Sequence, residues 1–233
     1  GIRTAVFLKG CPFRCIWCQN PETQSGKIEA GYGYEADVDS IVAECEKDRV
    51  YYEESGGGVT LSGGEPLMQA AFTLELLTRL KQKNIHTALD TTGLAKRAVL
   101  ERTLPLTDLY LFDYKASDPE RHKELVKQPL QPVLASLEFL VRNQASIILR
   151  CPLIPGINDD EDHLHAIAEM ESYYPGLQQI DILPWHTMGK AKYEKLGKTI
   201  DPRLPKENTP QRVLEVYRNF FIQKGNRRIV IKD

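Results

Sequence analysis

The sequence lacks the long apolar run that a membrane-spanning helix requires, and it has almost no excess charge of either sign. Its 233 residues carry 30 Lys and Arg against 32 Asp and Glu, which gives a net charge of −2. Proteins that bind nucleic acid usually carry a basic surface, and a bilayer span needs roughly 20 apolar residues in succession. No secretory signal is visible. We therefore expect a cytoplasmic protein with no nucleic-acid or membrane partner.

Cysteine is also scarce, since the chain has five, and three of these lie within eight residues. Five is an odd number, and three of the cysteines form one tight group. Both facts argue against a disulfide framework and for ligation of a metal or a cluster. Cys11, Cys15 and Cys18 have the spacing C-x₃-C-x₂-C, and thiolates select iron–sulfur clusters or zinc. A structural zinc site needs four ligands, whereas Cys45 and Cys151 stand alone and are expected in the core. Three thiolates would leave one iron of a cluster open to another ligand.

Internal repeats and low-complexity tracts are absent, so the fold must be inferred from hydrophobic periodicity. Short β-branched runs alternate with amphipathic segments, which predicts an α/β fold with parallel strands and connecting helices. Pro132 and Pro210 stand where two of the helices would begin. Six or seven such units predict an open or partial (β/α) barrel, because a closed barrel usually needs about 250 residues. A doubly wound sheet is the alternative. The predicted strands are Thr4–Lys9, Gly58–Ser62, Ile85–Asp90, Asp108–Asp113, Ser146–Cys151, Gln179–Leu183 and Arg228–Ile231.

One segment interrupts this alternation. Residues 25–34 are polar and glycine-rich, which is typical of a loop, and they follow the cysteines directly. Gly1 leads into the first strand without a turn, so we expect residues to be missing upstream. Residues 1–233 are interpreted as one domain.

The residues suited to chemistry follow the predicted strands, where both candidate architectures place their active sites. The three cysteines follow the first strand, and the turn Gly63-Gly64-Glu65-Pro66 follows the second. The next four strands end at or beside Asp90, Asp113, Arg150 and His186. Such convergence is harder to explain by chance than any single motif.

These motifs resemble a known family. The spacing C-x₃-C-x₂-C, with Trp17 before the last cysteine, is similar to the signature of the radical SAM superfamily. Ser62-Gly63-Gly64-Glu65-Pro66 resembles the second motif of that family. Further segments resemble its glycyl-radical-enzyme activases and cover most of the chain in the right order: residues 1–4, 10–12, 18–22, 55–60, 90–93, 112–115, 150, 155–156 and 183–186.

The resemblance implies a partial (β/α)₆ barrel with a [4Fe-4S] cluster on Cys11, Cys15 and Cys18. In this family the fourth iron binds the amino and carboxylate groups of S-adenosylmethionine. An electron, supplied by flavodoxin or ferredoxin, leads to cleavage into methionine and a 5′-deoxyadenosyl radical. The radical removes a Cα hydrogen from a glycine of the partner glycyl radical enzyme.

The resemblance also assigns residues that bind S-adenosylmethionine. Glu65, with the backbone of Gly63 and Gly64, would hold the ammonium group, since a carboxylate pairs with an ammonium and glycines let a backbone approach a ligand. Lys115 would reach the carboxylate, although a solvated strand end is the plain alternative for this lysine.

Further polar residues complete the expected site. Arg150 and His186 would contact the carboxylate, the ribose or adjacent polar groups, although His186 could instead be a buried histidine with its bonds satisfied. Asn20, beside the cysteines, would touch the same ligand. A second group matches positions that surround a monovalent cation, Na⁺ or K⁺, in the family; Asp90 could instead cap a helix. That group is Asp90, Thr91 and Asp113.

Other functions stay open at this point. The chain could activate anaerobic ribonucleotide reductase, act as a radical enzyme on a small molecule, or be a non-enzymatic iron–sulfur carrier or zinc module. Many activases also carry a ferredoxin-like insert after the cysteines, and residues 25–34 stand in its place. Because residues 19–44 contain no cysteine, we predict a single cluster.

Overall fold

The computed structural model describes residues 1–232 and is built around one sheet of seven parallel strands. Adjacent strands in space are consecutive in the chain, so the order is β1 to β7 without reversal. The strands are β1 Arg3–Leu8, β2 Gly58–Gly63, β3 Thr87–Thr91, β4 Leu109–Asp113, β5 Ile147–Leu153, β6 Gln179–Pro184 and β7 Ile229–Ile231. Each predicted strand is present, with ends shifted by one or two residues.

This sequential order decides between the two predicted architectures. Crossover connections between parallel strands are right-handed, so an order that never reverses places every helix on the same face of the sheet. A doubly wound sheet requires a reversal, and that alternative is therefore wrong. Six βα units precede the short strand β7. The result is a partial barrel, as predicted, with β1 and β7 at its two open edges.

The two faces of the curved sheet differ in polarity. In β5, Ile147, Leu149, Cys151 and Leu153 are fully buried against the helices, and the residues between them are half-buried. Because side chains alternate along a strand, Arg150 lies on the concave face with its register partners in β4 and β6. The core therefore fills the convex side, and the concave side is left for polar side chains. Cys151 and Cys45 both lie in the core, as predicted.

Several helices begin at residues that favour a helix start, namely aspartate caps and prolines. Side chains of three aspartates at the N-caps accept hydrogen bonds from the first turn of α1, α5 and α7. Pro132 is the second residue of α6, and Pro210 immediately precedes α9. The helices are α1 Val38–Glu46, α2 Arg49–Ser55, α3 Ala70–Gln82, α4 Arg97–Thr103, α5 Pro119–Val126, α6 Gln131–Arg142, α7 Glu161–Tyr173, α8 Lys190–Lys195 and α9 Gln211–Gln223.

The connection between β1 and α1 contains no further regular element apart from the single 3₁₀ turn Pro21–Thr23. Residues 25–34 form turns with one isolated bridge between Glu29 and Tyr32, so the predicted loop is present. None of the helices in residues 1–232 combines the length and the apolar character needed to cross a bilayer.

Candidate active site

The three clustered cysteines lie on a loop that is anchored at several points. Between the thiols, Phe13 and Trp17 are buried at 2% and 5% exposure. The backbone N–H groups of Arg14 and Ile16 donate to carbonyls at the end of α5 at 2.9 and 3.1 Å. Alternation of buried rings and thiols turns all three thiols toward one cavity of about 180 Å³ at the carboxyl ends of the strands.

The thiols suit a cluster rather than a single ion. All are free, and no three His, Cys, Asp or Glu side chains in residues 1–232 converge closely enough to hold one metal ion. A cluster presents each thiolate with a different iron, which matches thiols spread around one cavity. Burial raises the pKa of Cys11 to about 11, that of Cys15 to about 12 and that of Cys18 above its usual value, against the opposing charge of Lys115. Binding of a soft metal would displace these protons.

Most of the residues predicted from the sequence line this same cavity. The exceptions are Glu65 and His186. The predicted residues in the cavity wall are Cys11, Cys15, Cys18, Asn20, Gly63, Gly64, Asp90, Thr91, Asp113, Lys115 and Arg150.

Gly63 and Gly64 are required because the backbone after β2 lies directly against the end of β1 and the residues that follow it. A Cβ atom on Gly63, which has φ +103°, would lie 2.6 Å from the Leu8 carbonyl oxygen. A Cβ on Gly64 would lie 2.2 Å from the carbonyl oxygen of Gly10. The Gly64 and Glu65 N–H groups donate to these two carbonyls at 2.9 and 2.8 Å. The glycines therefore bring the turn against the cysteine loop and into the cavity wall.

Glu65 is fully buried, and its carboxylate is occupied by the protein itself. One oxygen accepts hydrogen bonds from the Leu67 N–H at 3.1 Å and the Thr91 hydroxyl at 2.8 Å. The other accepts from the N–H and hydroxyl of Thr92 at 2.8 and 2.7 Å. A carboxylate has about four acceptor sites, so these four hydrogen bonds occupy all of them. The geometry therefore makes Glu65 a brace between the ends of β2 and β3, and direct ammonium binding remains a sequence-based prediction.

Two ion pairs cross the concave face. Arg150 Nη1 lies 2.8 Å from Asp90 Oδ2, which also accepts a hydrogen bond from the Ser62 hydroxyl at 2.7 Å. Lys115 Nζ lies 2.8 Å from Asp113 Oδ2. Burial lowers the pKa of Lys115, but the surrounding negative groups, Asp113 first and then Cys15 and Asp90, together more than offset this and raise the pKa above the usual lysine range. Both cations are thus held charged and in place in the lining of the cavity.

The predicted cation site depends on the same carboxylates. In the described part of the chain, the second oxygen of Asp90 and that of Asp113 accept no hydrogen bond. Each carboxylate thus keeps one oxygen for another partner. Coordination of Na⁺ or K⁺ by Asp90, Thr91 and Asp113 stays a prediction.

His186 follows β6 but lies outside the cavity wall. Its Nδ1 is buried without a hydrogen-bond partner among residues 1–232, and burial lowers the pKa of the imidazole. The ring is therefore neutral at pH 7 and has an unused polar atom, a state that usually has a reason in a folded protein. Its predicted contact with S-adenosylmethionine remains a prediction.

Sequence reasoning missed the residues that hold Asn20. Lys192 in α8 donates to Asn20 Oδ1 at 2.7 Å and to Glu22 Oε1 at 2.6 Å. The neighbouring Tyr193 hydroxyl donates to the carbonyl of Cys18 at 3.0 Å. About 170 residues separate these partners in sequence, so no local pattern could have indicated the contacts.

Asn158 is a second missed residue. It is 1% exposed, and its amide donates to the carbonyls of Lys115 and Pro152 at 3.0 and 2.8 Å. Its oxygen accepts from the Ile154 N–H at 2.8 Å. These three bonds fix the ends of β4 and β5, which carry Lys115 and Arg150. Residues 155–156 nearby formed part of the family resemblance, but no role for Asn158 was predicted from the sequence.

Comparison with known proteins agrees with this arrangement. The sequence profile of the radical SAM superfamily matches residues 5–167, a range that contains the cysteine loop, the Gly-Gly turn and both ion pairs. The chain belongs to the radical SAM superfamily. This radical SAM protein is also similar to curated activating enzymes.

Two such relatives and one solved structure illustrate the similarity. The choline trimethylamine-lyase activating enzyme of Oleidesulfovibrio alaskensis is 34% identical over 255 aligned positions, which cover 84% of this chain and 82% of that protein. The pyruvate formate-lyase 2-activating enzyme of Escherichia coli is 37% identical over 226 positions, which cover 85% and 77%. A crystal structure of a domain of a pyruvate-formate lyase-activating enzyme from Bacteroides vulgatus superposes with a TM-score of 0.62 at 26% identity, covering 76% of this chain and 99% of that one.

Proposed function

We propose that this radical SAM protein is the activating enzyme of a glycyl radical enzyme. The observation that carries the proposal is the meeting of three free thiols, the Gly-Gly turn and two ion pairs in one cavity. The names of the relatives, which are activating enzymes at 34% and 37% identity, support the activase assignment over other radical chemistry.

When bound, the [4Fe-4S] cluster supplies the electron that splits S-adenosylmethionine into methionine and a 5′-deoxyadenosyl radical, which takes a Cα hydrogen from the partner's glycine. The chain binds and orients these groups. The cations of Lys115 and Arg150 are placed to attract the carboxylate of S-adenosylmethionine. Asn20, two residues after Cys18, lines the same cavity. Glu65 would act indirectly, by fixing the turn.

The open edge of the barrel offers a route for the glycine of the partner. On the concave face, Phe7 of β1 and Val230 of β7 are 48% and 38% exposed, and their register places them beside Ser62 and Asp181. Apolar side chains at the two edges of an unclosed sheet suit a peptide segment that enters from the side. A glycine on such a segment could reach the cavity without unfolding the barrel.

The remaining parts of the proposal concern the surroundings of the site. We place the protein in the cytoplasm, where thiols stay reduced, because all five cysteines are free. We propose one cluster in one domain. The alignment with the choline trimethylamine-lyase activating enzyme has more positions than this chain has residues, so that relative contains a segment with no counterpart here. Flavodoxin or ferredoxin is the expected reductant.

Anaerobic reconstitution tests the proposal. The loaded protein, given S-adenosylmethionine and dithionite, should form 5′-deoxyadenosine, and a glycyl radical should appear by electron paramagnetic resonance in a partner enzyme encoded nearby. Deoxyadenosine without a glycyl radical on any such partner would favour a small-molecule substrate. A loaded cluster that yields no deoxyadenosine would favour an electron carrier.

A further inference from the structure

Asn20 has a fixed backbone, and its side-chain amide is held at one end. Its carbonyl accepts hydrogen bonds from the Thr23 N–H at 2.9 Å and from the Thr23 hydroxyl at 2.7 Å. Its Oδ1 accepts from Lys192 Nζ at 2.7 Å. Among residues 1–232, no acceptor lies within hydrogen-bond distance of its NH₂ group. Because Asn20 lines the active-site cavity, this NH₂ group is the part of its side chain that remains for a bound molecule.

Lys192 determines which end of this amide is free. A side-chain amide has an acceptor at one end and two donors at the other, and a rotation about its last bond exchanges the two ends. An ammonium group has only donors, so it requires the oxygen and excludes the NH₂ group. With Lys192 in place, the NH₂ group of Asn20 must therefore point away from the lysine. Without the ammonium group, both orientations of the amide would be open.

Lys192 is itself held in place by an ion pair and by the packing of α8 against the cysteine loop. Its Nζ also donates to Glu22 Oε1 at 2.6 Å, and the Glu22 side chain is only 10% exposed. Just before α8, the Gly189 N–H donates to Gln19 Oε1 at 3.1 Å. A Cβ atom on Gly189 would lie 2.9 Å from that same oxygen, so the contact is close. The ammonium group of Lys192 is thus fixed beside Asn20.

We propose that Lys192 is a positioning residue that makes Asn20 a hydrogen-bond donor to the carboxylate of S-adenosylmethionine. The inference rests on the proposed function, since it concerns the ligand of the same cavity. An amino nitrogen that binds iron has no lone pair left, so it can only donate, whereas the carboxylate accepts hydrogen bonds. A donor two residues after Cys18 therefore suits the carboxylate, which Lys115 and Arg150 also attract. Lys192 does not line the cavity, and it acts through Asn20.

A double-mutant cycle tests whether Lys192 acts through Asn20. The affinity for S-adenosylmethionine is measured by calorimetry on each reconstituted protein. We expect Asn20→Ala to bind roughly 10–100-fold more weakly, as the loss of one hydrogen bond to a charged acceptor predicts. Lys192→Met should bind roughly 3–10-fold more weakly. The double variant should bind no more weakly than Asn20→Ala alone, because the lysine then has no amide left to orient.

Three further variants separate the orientation of the amide from other effects. Lys192→Arg keeps donors for Asn20 and Glu22, so its affinity should stay within about threefold of the wild type. Asn20→Asp pairs with Lys192 through one oxygen and leaves the other for the cavity, so it should bind at least as weakly as Asn20→Ala. Lys195→Met removes an exposed ammonium group that lies over the Tyr32 ring at 4.3 Å, and it should keep the wild-type affinity. Iron content and thermal unfolding check that each variant is loaded and folded.

The contrary outcomes are distinct. Additive losses in the double variant would overturn the proposal, since Lys192 would then act independently of Asn20. Wild-type affinity in Asn20→Asp would overturn it as well, because no ligand carboxylate could then face this residue. So would a loss in Lys192→Arg or Lys195→Met equal to that in Lys192→Met. Failure of the wild type itself to bind S-adenosylmethionine at full iron content would instead refute the proposed function.

Discussion

Glu65→Gln distinguishes two roles for the buried carboxylate at the end of β2. In the structure this group accepts two hydrogen bonds from backbone N–H groups and two from hydroxyls. A glutamine replaces one oxygen by an NH₂ group, which cannot accept. The hydroxyls of Thr91 and Thr92 can rotate to accept instead, but the N–H of either Leu67 or Thr92 would face another donor in a site with no access to water.

The expected loss of stability in Glu65→Gln follows from that one unsatisfied N–H group. A buried donor without a partner costs about 1–3 kcal/mol, and loss of the stronger bonds to a charged acceptor adds about 1 kcal/mol. We expect the free energy of unfolding to fall by about 2–4 kcal/mol, which lowers the Tm by roughly 4–16 °C in a chain of this size. Thermal unfolding followed by circular dichroism measures this, and calorimetry on the reconstituted protein measures the affinity for S-adenosylmethionine.

The matched control is Glu75→Gln in α3. That carboxylate is exposed and lies 4.0 Å from Arg79, so the same chemical change should alter the stability by less than about 0.5 kcal/mol. If Glu65→Gln keeps wild-type stability and loses most of its affinity for S-adenosylmethionine, the brace is refuted. The carboxylate would then hold the ammonium group directly.

Three further predictions concern the cluster, the core and α8. Cys45→Ala should retain about four irons per chain by iron and sulfide analysis, whereas Ala at any clustered thiol should abolish the cluster. Burial lowers the pKa of His163 to about 4. Below pH 6.5 the unfolded chain therefore binds a proton at this imidazole, whereas the folded chain does not. Stability should therefore be full above pH 6.5 and fall by up to about 3 kcal/mol toward pH 4, a loss that urea unfolding should find reduced in His163→Gln. Lys192→Met should weaken binding of S-adenosylmethionine by roughly 3–10-fold with iron content unchanged, measured by calorimetry.

Each of these has a control and a contrary outcome. His165→Gln, on the same helix but less buried, should keep the wild-type pH dependence, and an unchanged profile in His163→Gln would contradict the argument. Lys195→Met should leave the affinity unchanged, and an equal loss in both lysine variants would mean that α8 acts only through its overall charge. Eight or more irons in the intact chain would contradict the single cluster.

The sequence by itself determined those features that depend only on the spacing of nearby residues. Cys11, Cys15 and Cys18 are held together by covalent connection, so their ability to share a cluster could be predicted without knowing the fold. The alternation of strands and helices was equally local, and it predicted seven strands and a sheet with its chemistry at the carboxyl ends. Asp90, Asp113 and Arg150 met in one cavity because parallel strands end at the same edge.

Contacts across large sequence separations were decided only by the tertiary structure. The sequential strand order, which separates a partial barrel from a doubly wound sheet, depends on pairing that periodicity does not encode. Glu65 was expected to face a ligand, yet the β2–β3 register places Thr91 and Thr92 against its carboxylate. Lys192 reaches Asn20 only because α8, which follows β6, packs against the loop that follows β1.

The physical reason is the same in each case. A motif is a short run whose geometry is limited by bond lengths and a few dihedral angles, so its chemistry can be inferred from spacing alone. A brace such as Asn158, or the cavity of about 350 Å³ between the cysteine loop and residues 185–206, needs several elements to be packed in one particular arrangement. That arrangement is fixed by burial of the whole core, and no single segment of the sequence carries it.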